Sequence, residues 1–236
     1  TLVARSADKL EALAEELRAT GVRAEVLAAD LSDAADRAGL LPRVEALGLV
    51  PDILVNNAGL STLGPVHAAD VTGELNMIEV DVVAVAELCT RFLPGMVARG
   101  RGAVLNVAST AAFQPLPGQA GYGACKAFVL SYTRSLAGEL AGTGVAATAL
   151  CPGPVDTGFG EAAGFSKEDA ESALPSFMWE STENVARCGV DALAKGHPVA
   201  IPGAANRVAA MVAHLTPKRL LVPILAKQHP GLKSGR

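Results

Sequence analysis

The sequence predicts an α/β protein built on a doubly wound parallel sheet, and three observations predict it. Short apolar runs alternate with helix-length segments along most of the 236 residues, an order that calls for crossover helices between parallel strands. The runs are apolar at consecutive positions rather than at every second one, as in strands covered by helices on both faces. Half of the residues are apolar, enough for one sizeable core. Together these describe a Rossmann-like sheet.

Taken in order, the expected strands are Leu2–Ala4, Ala24–Ala28, Ile53–Val55, Ala103–Val107, Val145–Leu150 and Val199–Ile201. Ser6 stands where it would cap a helix over Asp8–Leu17 whose stripe is Leu10, Leu13 and Leu17. Ser32 stands likewise before a helix carrying Leu40, Leu41, Val44 and Leu47. One domain spans 1–236, with a lid at 154–181 and a helical tail at 204–228. The lid holds three of the six Phe (Phe159, Phe165, Phe177), the only Trp (Trp179) and Met178, side chains suited to closing over an apolar substrate. The tail carries Val208, Met211, Val212 and Leu215, then Leu220, Leu221, Val222, Ile224 and Leu225, broken by Pro217 and Pro223. It reads as two short helices packed on the core or at a homo-oligomer interface, with a peripheral membrane contact through Lys218 and Arg219 as the alternative.

Thr1 leads directly into a strand, whereas a dinucleotide-binding sheet opens with a strand, a glycine-rich turn and a helix that receives the pyrophosphate. Gly142-Thr143-Gly144 is not placed to replace that turn. The expectation is a fold lacking its first strand and helix, with unpaired parallel edges at Leu2 and Ile53.

Composition narrows the function. A net charge of −4, with 20 Lys and Arg scattered singly, provides no basic stripe for a nucleic acid. Cys89, Cys125, Cys151 and Cys188 lie far apart, and His67, His197, His214 and His229 form no ligand pattern, so no metal site and no disulfide framework is expected. The cysteines read as buried thiols in a reducing compartment. With no signal peptide and no apolar run near the length of a membrane span, the expectation is a soluble cytoplasmic protein.

Tyr122 and Lys126 sit four apart in a helical segment, which projects both side chains from one face about 6 Å apart. An ammonium beside a phenol favours the phenolate, and a drop of about three units from the ordinary value near 10 would half-ionise it at neutral pH. Tyr122 could then exchange a proton with a substrate oxygen. Ser109 lies 13 residues earlier, just past the strand Ala103–Val107, at the end of the sheet where ligands bind. Its hydroxyl could bond the same oxygen. Asn56 and Asn57 follow a strand, where side-chain amides would face a ligand.

Asn56-Asn57-Ala58-Gly59, Ser109, Tyr122-Gly-Ala-Cys-Lys126 and Pro152-Gly153-Pro154-Val155, in that order, resemble the motifs of the short-chain dehydrogenase/reductase family. The segment 106–126 with Leu93-Pro94-Gly95-Met96 is similar to its acyl-ketone and steroid reductases. The resemblance implies that Tyr122 is the acid/base, that Lys126 lowers its pKa and holds the nicotinamide ribose, and that Ser109 orients the carbonyl. It further implies that Asn57, Ala58 and Gly59 line the cofactor, that Asp30 and Leu31 meet the adenine, and that Pro152, Gly153, Val155 and Thr157 approach the carboxamide. Arg5 falls where the family reads the adenosine ribose. A cation there with no acid beside it favours NADP(H) over NAD(H).

The sequence departs from the family at Asp81, where an asparagine is usual. A carboxylate there would pair with Lys126 and weaken its effect on Tyr122, so Asp81→Asn is expected to leave activity unchanged or raise it. The activity implied is hydride transfer between NADP(H) and a hydrophobic ketone or secondary alcohol, with a 3-oxoacyl thioester as substrate and a hydroxysteroid as the alternative. The rivals are a non-catalytic binding protein or inactive fragment that retains the fold, and a methyltransferase on a similar sheet.

Overall fold

The protein is described by a computed structural model covering residues 1–164 and 175–232. Among the described residues six strands form, in chain order β1 (Leu2–Ala4), β2 (Val26–Ala28), β3 (Ile53–Asn56), β4 (Gly102–Val107), β5 (Val145–Leu150) and β6 (Val199–Ala200). All pair in parallel. They fall into a two-stranded sheet β1-β2 and a four-stranded sheet β3-β4-β5-β6, so β1 and β3 share no ladder. Val3 and Leu54 nevertheless pack against the same buried cluster, and one core joins the two sheets.

The helices are α1 (Ala7–Ala19), α2 (Ala34–Ala46), α3 (Val71–Ile78), α4 (Ala84–Arg99), α5 (Ala120–Glu139), α6 (Phe159–Ala162), α7 (Thr182–Ala194), α8 (Ala204–Leu215) and α9 (Lys218–Gln228). One expected cap is in place and one is corrected. Ser6 occupies the cap of α1 but makes no capping bond. Asp33, not Ser32, caps α2, accepting from the N–H groups of Ala35 and Asp36, while the Ser32 hydroxyl and N–H both bond Asp30. The stripe of α1 also rotates: Leu10 and Ala14 are buried, whereas Leu13 is 44% exposed.

Alternation along the central strands shows why both faces are covered. Val104, Ala147 and Ala149 face a cluster with Leu88, Phe92 and Met96 of α4 and Val129 and Leu136 of α5. Leu105 and Leu150 face the other side, against Ala192 and Leu193 of α7. Each such buried leucine or phenylalanine contributes about 1.5–3 kcal/mol. At β3 the cover fails on one side, and Ile53 and Val55 are 61% and 52% exposed.

Gly100 ends α4 in the left-handed region (φ 66°), with its N–H directed at the last turn. Gly144, at φ 79°, lies against it so closely that a Cβ would sit 1.9 Å from the Gly100 carbonyl oxygen. The two turns leading into β4 and β5 are thereby packed backbone to backbone, and only glycine fits.

The tail forms two helices as expected, with its apolar stripe off the core. In α8 the buried residues are Asn206 and Ala210, while Val208, Met211, Val212 and Leu215 face outward, as do Leu220 and Ile224 of α9. Cys89, Cys125 and Cys151 are buried thiols; Cys188 is only half-buried. Among the described residues no helix is long and apolar enough to cross a membrane, and no group of His, Cys, Asp or Glu could hold a metal ion.

Candidate active site

The site is assembled at the carboxyl ends of β3, β4 and β5. Ser109 follows β4 and caps a single 3-10 turn (Thr110–Phe113), its Oγ accepting from the Ala111 N–H at 3.1 Å. Tyr122 and Lys126 lie on the first turns of α5, with the Lys126 Nζ 5.7 Å from the centre of the Tyr122 ring. Gly121 and Gly123 flank the tyrosine where neighbours come close: a Cβ at Gly121 would meet the Glu74 carboxylate and the Met77 side chain.

Lys126 is buried, and its ammonium is fixed from two sides. It donates to the Val107 carbonyl at 3.2 Å and meets Asp81 Oδ2 at 2.9 Å. Asp81 sits in a π-helical turn (Glu79–Val83) between α3 and α4 and is fully buried. Its Oδ1 accepts the Leu60 N–H at 2.7 Å. Single-turn π segments aim a side chain differently from an α-helix, and here the displaced residue is the acid that reaches Lys126. Burial pushes the Asp81 carboxyl up, against the pull of the Lys126 charge and the Leu60 N–H.

Burial also pushes the Tyr122 phenol above its ordinary value; Lys126 and then the Ser109 hydroxyl draw it down, and Asp81 raises it further. This reverses the direction expected from the Tyr–Lys spacing, because desolvation of a phenolate outweighs one ammonium whose charge a carboxylate already faces. The thiols of Cys125 and Cys151 are pushed up by burial to about 11 and about 12. They are uncharged at neutral pH.

The residues expected to hold a dinucleotide lie at the ends of successive strands. Asn57 and Ala58 are exposed after β3. Gly59 lies directly over the ion pair, so that a Cβ there would stand 3.1 Å from Lys126 Nζ and 3.4 Å from Asp81 Oδ2. With no Cβ here the backbone closes over the ion pair and leaves Asn57 and Ala58 open at the strand end, where a nucleotide would fit. Arg5 is exposed after β1. Its charge reaches the Asp30 carboxylate after β2, which Ser32, and to a lesser degree Arg5, hold below its ordinary value. No ion pair joins the two among the described residues. Leu31 packs on the core, and its carbonyl accepts from Arg37.

After β5, Pro152, Gly153 and Val155 are half-buried, and Thr157 is exposed with its Oγ1 accepting the Phe159 N–H. Val155 bridges Glu180 and the Pro154 carbonyl accepts the Glu180 N–H, so the two ends of the expected lid meet. Phe159 leans on Tyr122, ring centres 5.8 Å apart. Phe177 is 71% exposed. Phe165 lies outside the described residues.

Asn56 is corrected outright. Its amide is buried and donates to Asn106 Oδ1 at 2.8 Å, and Asn106 donates onward to Thr133 Oγ1 at 2.9 Å. It ties β3 to β4 rather than facing a ligand. Two contributors escaped the sequence reading. Asn206, fully buried in α8, donates to the Met178 carbonyl and fills the space against Gly153, where a Cβ would lie 2.3 Å from its Oδ1. Gln119, just before α5, donates to Ser61 Oγ and meets the His229 ring at 3.1 Å, bringing the end of the tail to the rim of the site. A polar residue inside the apolar run of the tail was the available signal for Asn206; Gln119 offered none.

A family model described as short chain dehydrogenase matches residues 1–167. A short chain dehydrogenase of Pseudocercospora fijiensis is 41% identical over 161 residues, 67% of this chain and 52% of that protein. The chain spans about half the length of the curated relatives it matches. A solved structure of a 7beta-hydroxysteroid dehydrogenase superposes with a TM-score of 0.83 at 26% identity, covering 95% of this chain and 85% of the other. A short-chain dehydrogenase from Sphingobium yanoikuyae, solved in complex with NADPH, gives a TM-score of 0.78 at 31% identity, covering 100% and 85%.

Proposed function

Given that the chain belongs to the short-chain dehydrogenase family, we propose that it transfers a hydride between NADP(H) and a hydrophobic ketone or secondary alcohol. The observation that carries this reading is the convergence of Ser109, Tyr122 and Lys126 at the carboxyl ends of β4 and β5. When bound, NADPH supplies the hydride to the carbonyl carbon. Arg5 would meet the 2′-phosphate, Asn57 to Gly59 would line the cofactor, and Pro152 to Thr157 would approach the carboxamide. The NADPH bound to the Sphingobium enzyme supports the choice of cofactor.

The chain's own groups do the proton chemistry. The Ser109 hydroxyl donates to the substrate oxygen and holds the carbonyl against Tyr122. Tyr122 gives that oxygen its phenolic proton as charge develops on it, and Lys126 fixes and polarises the phenol. Phe159 against the Tyr122 ring provides an apolar wall, which suits a 3-oxoacyl chain. A hydroxysteroid is the second reading, favoured by the similarity to the 7beta-hydroxysteroid dehydrogenase. Loss of reduced-nicotinamide absorbance on adding each ketone class to the protein with NADPH tests the proposal. Turnover of 3-oxoacyl thioesters supports it, turnover of oxosteroids alone selects the second reading, and no turnover with either refutes both.

A further inference from the structure

Lys126 faces two partners of opposite consequence. Tyr122 is served by its positive charge, and Asp81 cancels that charge at 2.9 Å. The carboxylate cannot turn away, because it is fully buried and its other oxygen is held by the Leu60 N–H at 2.7 Å. Nor can the ammonium, which is bound to the Val107 carbonyl and has Gly59 packed over it. What Tyr122 meets is therefore a fixed neutral pair rather than a lone cation. The other titratable groups around it do not replace the lost charge: Cys125 on its own helix and Cys151 after β5 are uncharged thiols, and Glu74 of α3, against Gly121 and bonded to Thr62, is another acid.

We propose that Asp81 is a positioning residue that holds the Lys126 ammonium in a neutral pair, weakens its support of the Tyr122 phenolate, and so moves the alkaline limit of carbonyl reduction to higher pH. This rests on the assignment of Tyr122 as the acid/base. In reduction the Tyr122 O–H bond breaks, a new O–H bond forms on the substrate oxygen, and the electron pair stays on the tyrosine as phenolate. Oxidation is the reverse and needs the phenolate first, so its rise with pH should follow the same Tyr122 titration.

The chain has two tyrosines, so in a Tyr132→Phe background the near-ultraviolet absorbance change on raising the pH reports Tyr122 alone. The expected result is that Asp81→Asn moves this titration to lower pH by about one unit or more, the scale on which a nearby charge acts. The pH above which kcat/KM for carbonyl reduction falls should move the same way. An unchanged or higher midpoint overturns the proposal. Asp81→Ser reads the same quantity if the amide variant does not fold, folding being judged by far-ultraviolet circular dichroism. The titration needs neither cofactor nor substrate, so it fails or succeeds separately from the reductase reading.

Discussion

Replacing Asn106 by leucine should cost far more than its place on an apolar strand implies, and replacing Asn56 with it should cost less than the two single replacements summed. Asn106 is fully buried, accepts from Asn56 Nδ2 at 2.8 Å and donates to Thr133 Oγ1 at 2.9 Å. Leucine has the same branched shape and leaves no cavity, though its larger methyl groups add some overpacking. Each lost hydrogen bond is worth about 1 kcal/mol, and leaving the buried Asn56 amide without its acceptor adds about 1–3 kcal/mol. Thr133 loses less, because its hydroxyl keeps its bond to the Val129 carbonyl. The single variant should therefore lose about 2–4 kcal/mol, which at roughly 2–4 °C per kcal/mol for a chain of this size lowers Tm by about 5–15 °C. Urea unfolding followed by circular dichroism, on Asn106→Leu, Asn56→Leu and the double variant, measures the cycle. A coupling of about 1–2 kcal/mol is expected; costs that add to within about 0.5 kcal/mol would refute the network. If Asn56 faced a ligand instead, its replacement would weaken cofactor binding and leave stability nearly unchanged.

Gly153→Ala drives a Cβ to 2.3 Å from Asn206 Oδ1, and both groups sit in packed surroundings. A loss of about 1–3 kcal/mol in urea unfolding is expected. Arg5→Ala should raise Kd for NADPH by about tenfold or more in a calorimetric titration while changing Kd for NADH little, since a charge-assisted contact to the 2′-phosphate is removed from only one of the two. Equal effects on both cofactors would count against the assignment. Burial holds the His229 imidazole below its ordinary value, so the docked tail disfavours the protonated ring. The undocked tail binds the proton more readily, so docking is fully present above about pH 6.5 and is lost as pH falls through the lowered value. Amide exchange at Gly231 and Leu232, corrected for its intrinsic pH dependence, should rise on acidification, and His229→Gln should abolish that rise.

The fold was legible because its signals are local. The six apolar runs all became strands, with ends shifted by a residue or two, and the helix pairing Tyr122 with Lys126 followed from a spacing of four. The caps were less legible: Ser6, Ser32 and Asp33 are all acceptable residues at a helix start, and only the geometry of the preceding turn decides which side chain reaches the free N–H groups. The site was half visible. Ser109, Tyr122 and Lys126 carry their chemistry in their residue types, but Asn56 resembled a ligand contact until a partner 50 residues away claimed its amide. The reversal at Tyr122 has the same origin. Burial and Asp81 act through space from elements distant in sequence, so spacing alone reported the ammonium and missed what opposes it. The tail was legible in part: its two helices followed from the apolar period and the prolines, but the period does not say which side meets the body, and Asn206 and Ala210 take that side while the stripe faces away.

The proposal that Tyr122 supplies the proton for carbonyl reduction is tested most directly by Tyr122→Phe. NADPH-dependent turnover of a hydrophobic ketone should fall by about 100-fold or more, the contribution typical of a positioned acid, while Kd for NADPH changes little. Turnover near the unsubstituted level, with cofactor binding intact, would contradict the account.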